Sequence, residues 1–494
     1  MRGIMAGIGV RLNRIYSKNS ILTHLYGFGY SMVITVAPMF LVIIAIMIMQ
    51  KVLGFSKVGY ADRELYSCTV LYIFIFSLLT ASPFNAVLSR YMSDVIYQDQ
   101  YENIMPCYYV GVIMNITLSC LVGIPFCIWE YVVGHVWILY VFMSFCGYVG
   151  LVLVFYSMLY LSICKDYKKI SLFFFIGMLV TVLLSVIMVY LLGISVSTSM
   201  LFSLDVGFVV IGSLEFAQIR CYFRENSGQY KDVLSYFKKY WQLVITNFLY
   251  SLGLYVHNFV FWSTDMRMVV ADSFVCMTAY DMATCLAMFT NITASVIFIS
   301  RVEMNFHGHY KRYSEAVIGG TGMDIEKSKR RMFRQLSDEL MNLVRLQFIV
   351  SVVVFLICIT LLPRIGFGGM TMKIYPCLAA GYFILFIMYS AIIFLYYFND
   401  LTGSAITAFV FCLMTFLGSV IATHLTAIWY GIGLVAGSTA GWCMAYYRLR
   451  KMEKTLDVHV FCNGTIMKRA HGERPSNKVF EREIPTVGKG VVKQ

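Results

Sequence analysis

The stretch ISLFFFIGMLVTVLLSVIMVYLLG, residues 170–193, contains no charged side chain and directly follows Lys168 and Lys169. A helix needs roughly 20 predominantly apolar residues to cross the hydrocarbon core of a bilayer. This stretch is long enough, and a basic flank is typical of the cytoplasmic side of a membrane span. The pattern therefore predicts a transmembrane helix.

The same pattern recurs along the whole sequence. It predicts about twelve spans, separated by charged or turn residues. They lie near residues 29–50, 65–89, 107–129, 136–163, 170–193 and 198–220, and then near 241–262, 277–300, 343–363, 374–398, 401–424 and 427–447. Only 13% of the residues are charged, against about a quarter in soluble domains. The sequence therefore predicts an all-α polytopic membrane protein.

A basic connector divides the predicted spans into two groups of six, which suggests two six-helix lobes. The expected divisions are a cytoplasmic amphipathic segment at 1–28, a first bundle at 29–220, the connector at 221–240, a second bundle at 241–447 with a cytoplasmic insertion at 301–342, and a basic cytoplasmic tail at 448–494. The alternative for residues 1–28 is a merely basic flank of the first span.

The distribution of positive charge predicts the orientation of the spans. One side holds only six of the 39 lysines and arginines, and positively charged flanks stay in the cytoplasm. We therefore expect both termini in the cytoplasm and the chain in the cytoplasmic membrane. The net charge of +13 is spread over membrane-flanking segments, so the expected counterpart is anionic membrane lipid rather than nucleic acid.

Two predicted spans carry polar side chains on one helical face. Polar groups are costly inside a bilayer and often mark transport pathways, where they could hydrogen-bond sugar hydroxyls. The alternative is packing between helices, in which small and amide side chains also take part. The two polar stripes are Asn247, Ser251 and Asn258 on the seventh span, and Ser82, Asn85 and Ser89 on the second span.

Acidic residues within the spans form a second set of candidates. Asp205 lies deepest and is placed to attract a cationic amino sugar, and Asp281 lies near the outer end of the eighth span. Arg90 and Asp94 stand four residues apart at the inner end of the second span, which predicts a surface ion pair. Glu303 follows the eighth span on the same side.

The sequence shows no enzyme site. It contains no G-x-S-x-G motif and no group of histidine, cysteine and carboxylate residues at metal-ligand spacing. The 14 cysteines lie mostly in apolar spans and form no C-x-x-C pair, which is typical of small apolar residues. We therefore expect no catalysis, no metal and no other cofactor.

The insertion contains a predicted amphipathic helix from Asp324 to Leu340. Apolar residues recur at helical spacing on one face, while lysines and arginines take the other positions. Such a helix packs back on its own bundle, docks a partner or lies on anionic lipid. The partner hypothesis predicts that Phe333 and Leu336 contact a cytoplasmic synthase or another subunit, because an exposed apolar row is a liability.

Several short motifs fall at characteristic places along these spans. Near the start of the sequence they are Met5-Ala6-Gly7-Ile8-Gly9, Arg11-Leu12, Tyr30-Ser31 and Ala37-Pro38. Further along they are Arg90-Tyr91 and Asp94, Tyr280-Asp281, Leu286-Ala287, and Glu303, Phe306, Tyr310, Tyr313, Gly319-Gly320 and Ile325-Glu326. Together they resemble the PelG family of Pel exopolysaccharide transporters as far as about Arg450. The outer loop from Ser263 to Ser273 is shorter and poorer in tryptophan than the family pattern.

This resemblance implies a transporter of the multidrug/oligosaccharidyl-lipid/polysaccharide exporter superfamily with two six-helix lobes. It implies that the substrate is a biofilm polysaccharide rich in N-acetylated amino sugar and partly deacetylated after synthesis. It also implies partners in a Pel-type complex, which are a cytoplasmic glycosyltransferase and membrane subunits, one of which senses cyclic di-GMP in many systems. It assigns no catalytic residue.

Three functions compete at this point. The leading hypothesis is an exopolysaccharide exporter that works beside a synthase. The second is a flippase for lipid-linked oligosaccharide, or a small-molecule antiporter, of the same superfamily; a lipid-linked intermediate or a proton gradient would support it. The third is a scaffold that assembles a synthase in the membrane without transporting anything.

Overall fold

The computed structural model describes residues 21–164, 166–291, 303–365 and 368–463. Within these ranges the chain forms fourteen α-helices and one small hairpin. The helices are α1 (Ile21–Val52), α2 (Tyr60–Tyr97), α3 (Ile104–Val132), α4 (Ile138–Ile163), α5 (Tyr167–Tyr190), α6 (Val196–Tyr222), α7 (Tyr230–Lys239), α8 (Trp241–Trp262), α9 (Thr278–Asn291), α10 (Glu303–Gly319), α11 (Gly322–Ile365), α12 (Met370–Tyr397), α13 (Leu401–Ala422) and α14 (Ile432–Asn463). The antiparallel strands are β1 (Met268–Val270) and β2 (Phe274–Cys276).

The prediction of an all-α polytopic membrane protein is confirmed. Among the described residues, nine helices are long and apolar enough to cross a membrane. Helices also cover the other predicted spans, although residues 292–300 of the eighth span lie outside the described ranges. Most of the predicted segment 1–28 and of the tail 448–494 also lies outside them.

The two halves of the chain repeat one packing scheme. In the first half α1 packs on α5, α2 packs on α4, and α6 packs on both α4 and α5. In the second half α8 packs on α13, α9 packs on α12, and α14 packs on both α12 and α13. Each half therefore has the same internal arrangement of six helices, with α7 between the two sets.

Equivalent helix ends in the two halves are fixed by equivalent aspartates. Asp166 caps α5 by accepting from the backbone N–H of Lys169, and Asp400 caps α13 by accepting from Gly403. An N-cap carboxylate satisfies a helical N–H that has no partner within the helix. Helix α6 reaches Asp166 through the Tyr222 hydroxyl, which donates to it, and α14 reaches Asp400 through an arginine.

Two helices are longer than the apolar runs predicted. Helix α11 has 44 residues, about 66 Å at 1.5 Å per residue, and it fuses the insertion helix with the ninth span. Helix α14 continues past residue 447 to Asn463. The predicted borders at 342 and 447 mark changes in hydropathy, and no glycine or proline lies near them to end a helix.

The insertion packs back on its own bundle. Phe306 of α10 and Met332, Phe333 and Leu336 of α11 are buried against α12 and α14. The Phe333 ring stacks on Phe398 with the centroids 5.2 Å apart. The expectation that Phe333 and Leu336 form an exposed docking row is therefore wrong, because their apolar face is already covered within the chain.

The two halves meet along α2, which packs on α8 and α7. Helix α2 has 38 residues and is about 57 Å long, so it runs the full depth of the molecule. At one end Tyr60 donates to the Met268 sulfur of the hairpin, and at the other end Asp94 accepts from Tyr236 of α7. We call these the hairpin end and the α7 end, and we call the α2 to α8 contact the seam.

Candidate functional site

The middle of the seam is shaped by a proline. Pro83 lies inside α2 and has no N–H, so the carbonyl of Leu79 loses its usual helical donor. The Ser82 hydroxyl donates to that carbonyl at 3.2 Å. Ser82 was predicted as a pathway residue, but its hydroxyl replaces the backbone donor that the Leu79 carbonyl lacks because of the proline. The contribution of Ser82 to the seam is therefore its backbone carbonyl.

Asn247 bridges the two halves at this point. Its Nδ2 donates to the Ser82 carbonyl at 3.2 Å, and its Oδ1 accepts from the Tyr396 hydroxyl at 3.4 Å. One side chain thus connects α2, α8 and α12. The structure brings Asn247 and Ser82 together, as the polar stripes suggested, although it does so through a contact that also serves packing.

Asn85 lies one turn along α2 from Ser82, on the same helical face. Its Oδ1 is buried and has no hydrogen-bond partner among the described residues. A buried carbonyl oxygen without a partner costs about 1–3 kcal/mol, so such an atom needs an explanation. Ser89 is half-buried a further turn along α2, and Ser251 is buried on α8.

Asn258 and Asp281 form a closed cluster towards the hairpin end. Asp281 accepts from Asn258 Nδ2 at 2.7 Å, from the Trp262 indole at 3.0 Å and from the backbone N–H of Met277 at 3.1 Å. Asn258 also donates to the Thr284 hydroxyl at 3.4 Å. The sequence identified Asn258 and Asp281 separately. Their partnership, and the part of Trp262 in it, was missed because it joins residues about twenty positions apart.

An aromatic wall closes the seam at the hairpin end. The Tyr72 ring of α2 lies parallel to the Trp262 ring of α8 with the centroids 5.2 Å apart, and it also contacts the rings of Phe126 and Phe274. The Tyr72 hydroxyl accepts from the Val275 N–H at 3.0 Å and donates to the Val275 carbonyl at 2.9 Å. The wall therefore joins the first half to the hairpin, which belongs to the second half.

A cavity of about 200 Å³ lies in the first half behind this wall. It is bounded by α2, α3 and α4, and its lining is mostly aromatic, with Phe76, Phe126, Phe145 and Tyr148 among the lining residues. A sugar needs hydrogen-bond partners along its rim, and this lining supplies few of them. The cavity is therefore not the evident binding place for a sugar.

Three carboxyl groups are buried in the first half. Asp205 and Glu215 of α6 and Glu130 of α3 are at most 6% exposed, and the oxygens of their carboxyl groups have no partner among the described residues. Asp205 lies so close to α4 that a Cβ on Gly147 would fall 2.2 Å from its Oδ1, which explains the glycine. Within the described part of the chain, helix α6 packs mainly on α2, α4 and α5, so Asp205 lies inside the first half rather than on the seam.

Arg90 and Asp94 do not form the predicted ion pair at the α7 end. The Arg90 guanidinium lies 4.3 Å from the centroid of the Tyr240 ring, while Asp94 accepts from the Tyr236 hydroxyl at 3.2 Å. Burial and the neighbouring Asp94 raise the pKa of Tyr236 to about 12. The two charges point to different neighbours because α7 packs across them. The side chain of Glu303 lies outside the described residues.

The comparison with protein families decides the identity of the chain. Residues 5–461 match the family model PelG, described as "Putative exopolysaccharide Exporter (EPS-E)". This chain belongs to the PelG family. The match confirms the family that the short motifs indicated, and it extends over both halves and the insertion.

Solved structures with a similar fold include transporters of the MATE family. One is an inward-facing multidrug resistance MATE transporter of the MOP superfamily, with 12% identity, 80% of this chain and 91% of the other covered, and a TM-score of 0.54. An outward-facing multidrug resistance MATE transporter is 13% identical, with 86% of this chain and 95% of the other covered and a TM-score of 0.56. A MATE in the bent conformation is 12% identical, with 92% of this chain and 98% of the other covered and a TM-score of 0.57. No curated protein matches the chain. At these identities the likeness shows the fold.

This PelG-family chain thus contains two kinds of buried polar group. Some have partners: Asn247 joins the two halves across the seam, and the Asp281 cluster joins α8 to α9 within the second half. Others, among them the carboxyl groups inside the first half, have no partner within the described chain. Among the described residues, no group of three or more histidine, cysteine, aspartate or glutamate side chains could hold a metal ion.

Proposed function

We propose that this PelG-family chain exports an amino-sugar-rich, Pel-like exopolysaccharide across the cytoplasmic membrane, and that the seam lines its route. The family match and the transporter fold support export of an exopolysaccharide. The charge distribution of the loops supports a location in the cytoplasmic membrane with the α7 end and both termini in the cytoplasm.

The observation that carries this proposal is the amide oxygen of Asn85 on α2, which is buried and has no partner among the described residues. A sugar chain brings hydroxyl and amide groups through a region where each unpaired one costs several kcal/mol, so the route must offer partners. Asn85 has a free acceptor one turn from the contact between Asn247 and Ser82. If this contact opens, the Asn247 amide and the Ser82 carbonyl become available as well. Ser89 and Ser251 extend the same route along α2 and α8.

The pair Asn258 and Asp281 has a different part in this proposal. Asp281 already accepts from three donors, so it offers little to a passing sugar while the hairpin end is closed. The pair holds α8 against α9 below the aromatic wall. The pair therefore stabilises the closed hairpin end. It contributes to the route only when the aromatic wall opens.

The partners in this proposal are a cytoplasmic glycosyltransferase and membrane subunits of a Pel-type complex, one of them a cyclic di-GMP sensor. Helix α11 is about 66 Å long and the hydrocarbon core is about 30 Å thick, so α10 and the first part of α11 stand outside the bilayer. At the turn that joins them, Ile318 is 81% exposed and Met323 is 82% exposed. This turn offers an apolar contact that Phe333 and Leu336 do not.

Replacing Asn85 by leucine tests the proposal. The Asn85 oxygen has no hydrogen bond to lose among the described residues, and leucine is well tolerated in a membrane helix, so protein abundance should be unchanged while secretion of the polymer falls at least tenfold. Asn115→Leu is the control, since Asn115 is also a buried amide with an unpartnered oxygen but lies on α3. Its Nδ2 donates to the Gly111 carbonyl of the same helix at 2.8 Å, so the two variants are compared at equal protein level, where Asn115→Leu should secrete normally. Normal secretion from the Asn85→Leu strain at normal protein level would rule out this route.

An ion-coupled flippase or antiporter of the same superfamily is the second candidate. The three unpartnered carboxyl groups of the first half favour it, because a buried carboxyl without a partner is either neutral or bound to a cation. An uncoupler that collapses the proton gradient should stop transport within minutes in this case, before the supply of polymer precursor falls. Transport that continues at an unchanged rate would exclude proton coupling.

A further inference from the structure

Two cysteines from different halves meet at the hairpin end. The sulfur of Cys68 on α2 lies 3.2 Å from the sulfur of Cys276 on β2. Both residues are 2% exposed and both are reduced. They are 208 positions apart in the sequence, so the contact depends entirely on how the hairpin sits on α2.

The surroundings hold these two thiols in place. The Tyr72 hydroxyl hydrogen-bonds to both the N–H and the carbonyl of Val275 in the hairpin. Phe274 and Val270 pack in the same small apolar cluster as the two cysteines. The sulfur atoms need to approach by only about 1 Å to reach the bond length of a disulfide, about 2.05 Å. The hairpin lies between α8 and α9 and so belongs to the second half of the chain.

We propose that Cys68 and Cys276 form a reversible disulfide that latches the hairpin end shut. The bond would tie α2 of the first half to the segment between α8 and α9 of the second half. For the halves to separate at this end, the hairpin must leave α2, and a covalent bond prevents that movement. Reduction returns the pair to the thiol contact seen in the structure.

The chemistry is thiol–disulfide exchange with a small or protein disulfide as the oxidant. One cysteine attacks a sulfur of the oxidant, which forms a mixed disulfide and releases one thiol. The second cysteine then attacks the mixed disulfide, which forms the bond between Cys68 and Cys276 and releases the second thiol. Both electrons pass to the oxidant, and the two protons are carried by the released thiols. Since both sulfurs are buried, the first step requires the hairpin to lift and the second requires it to return.

The first test uses the full-length chain in membranes and 4,4′-dithiodipyridine as the oxidant. Digestion without reductant should yield a cross-linked peptide pair containing Cys68 and Cys276, and dithiothreitol should separate it. Cys68→Ser should abolish the pair, whereas Cys285→Ser should not, because Cys285 is an exposed cysteine elsewhere on α9. Separate pyridyl adducts on the two residues would overturn the proposal, and so would two unreacted thiols in a sample where exposed Cys221, at the end of α6, has reacted.

The second test concerns the latch and rests on the proposed function. Oxidation should lower polymer secretion at least fivefold in cells with the natural chain, reductant should restore it, and Cys276→Ser should remove the effect. A cross-link with unchanged secretion would overturn the latch. Absence of secretion from the reduced natural chain would instead count against the proposed export function, while leaving the cross-linking result intact.

Discussion

The two halves of the molecule differ in whether their buried acidic residues have hydrogen-bond or ion-pair partners. In the second half Asp281 accepts from Asn258, Trp262 and a backbone N–H, and Asp400 forms a 2.6 Å ion pair with Arg448. In the first half the oxygens of three buried carboxyl groups have no partner among the described residues. Yet the helices pack in the same scheme in both halves.

This difference distinguishes carboxyl groups whose partners stabilise the fold from carboxyl groups whose oxygens are available to a ligand. A buried charge whose partner is removed costs about 3–5 kcal/mol, so Asp281 and Asp400 depend on their neighbours. A buried carboxyl that never had a protein partner depends on none of them. The buried carboxyl groups of the second half should therefore contribute more to the stability of the fold than those of the first half.

The largest effect should come from breaking the ion pair of the second half. Arg448→Met leaves Asp400 buried and without its cation, so the chain should lose about 3–5 kcal/mol of stability. A thermal melt of the detergent-purified chain measures this as a lower Tm. Arg450→Met is the matched control, because Arg450 pairs with Glu453 on the exposed side of α14 and should change little. Equal Tm values for the two variants would contradict the comparison.

A smaller loss is expected at the hairpin end. Asn258→Leu removes one donor from Asp281 and leaves that carboxyl partly unsatisfied, which costs about 1–3 kcal/mol. Protein abundance in the membrane and the Tm should both fall. Asn247→Leu provides the contrast, since it strands a backbone carbonyl and a tyrosine hydroxyl but no charge, and its Tm should fall less. A larger fall for Asn247→Leu would show that the seam contributes more to stability than the Asp281 cluster does.

The smallest effect on stability is expected in the first half. Asp205→Asn keeps the shape of the side chain and removes no hydrogen bond to a residue that the structure describes, so the Tm should stay the same or rise. If the first half exchanges an ion, the same variant should lose transport. A Tm that falls by several degrees would mean that the Asp205 carboxyl stabilises the fold through a protein contact, and the contrast between the halves would then fail.

The helices of this fold could be predicted because crossing a bilayer imposes long apolar runs on the sequence. The same signal could not give the ends of α11 and α14, because hydropathy changes where a helix leaves the membrane and the helix itself continues. Phe333 and Leu336 show a related limit: their spacing predicted one apolar face, but not that α12 covers it.

The candidate site could be predicted only in part. The stripe on α8 identified Asn247 and Asn258, but their partners come from distant segments of the chain, and contact there depends on how helices pack rather than on local spacing. Asp205 was found by its charge alone, and its position inside the first half follows from the packing of α6. The sequence did not predict the contact between Cys68 and Cys276, because neither cysteine lies in a characteristic motif.

The central claim is that the polymer passes along the seam, and covalent capture of the polymer tests it most directly. A photoreactive amino acid placed at position 85 in secreting cells should, on illumination, yield chain bound to polysaccharide, detected as a product that shifts back after glycosidase digestion. The same amino acid at position 115 should yield none. Capture at position 115 and not at position 85 would contradict the account.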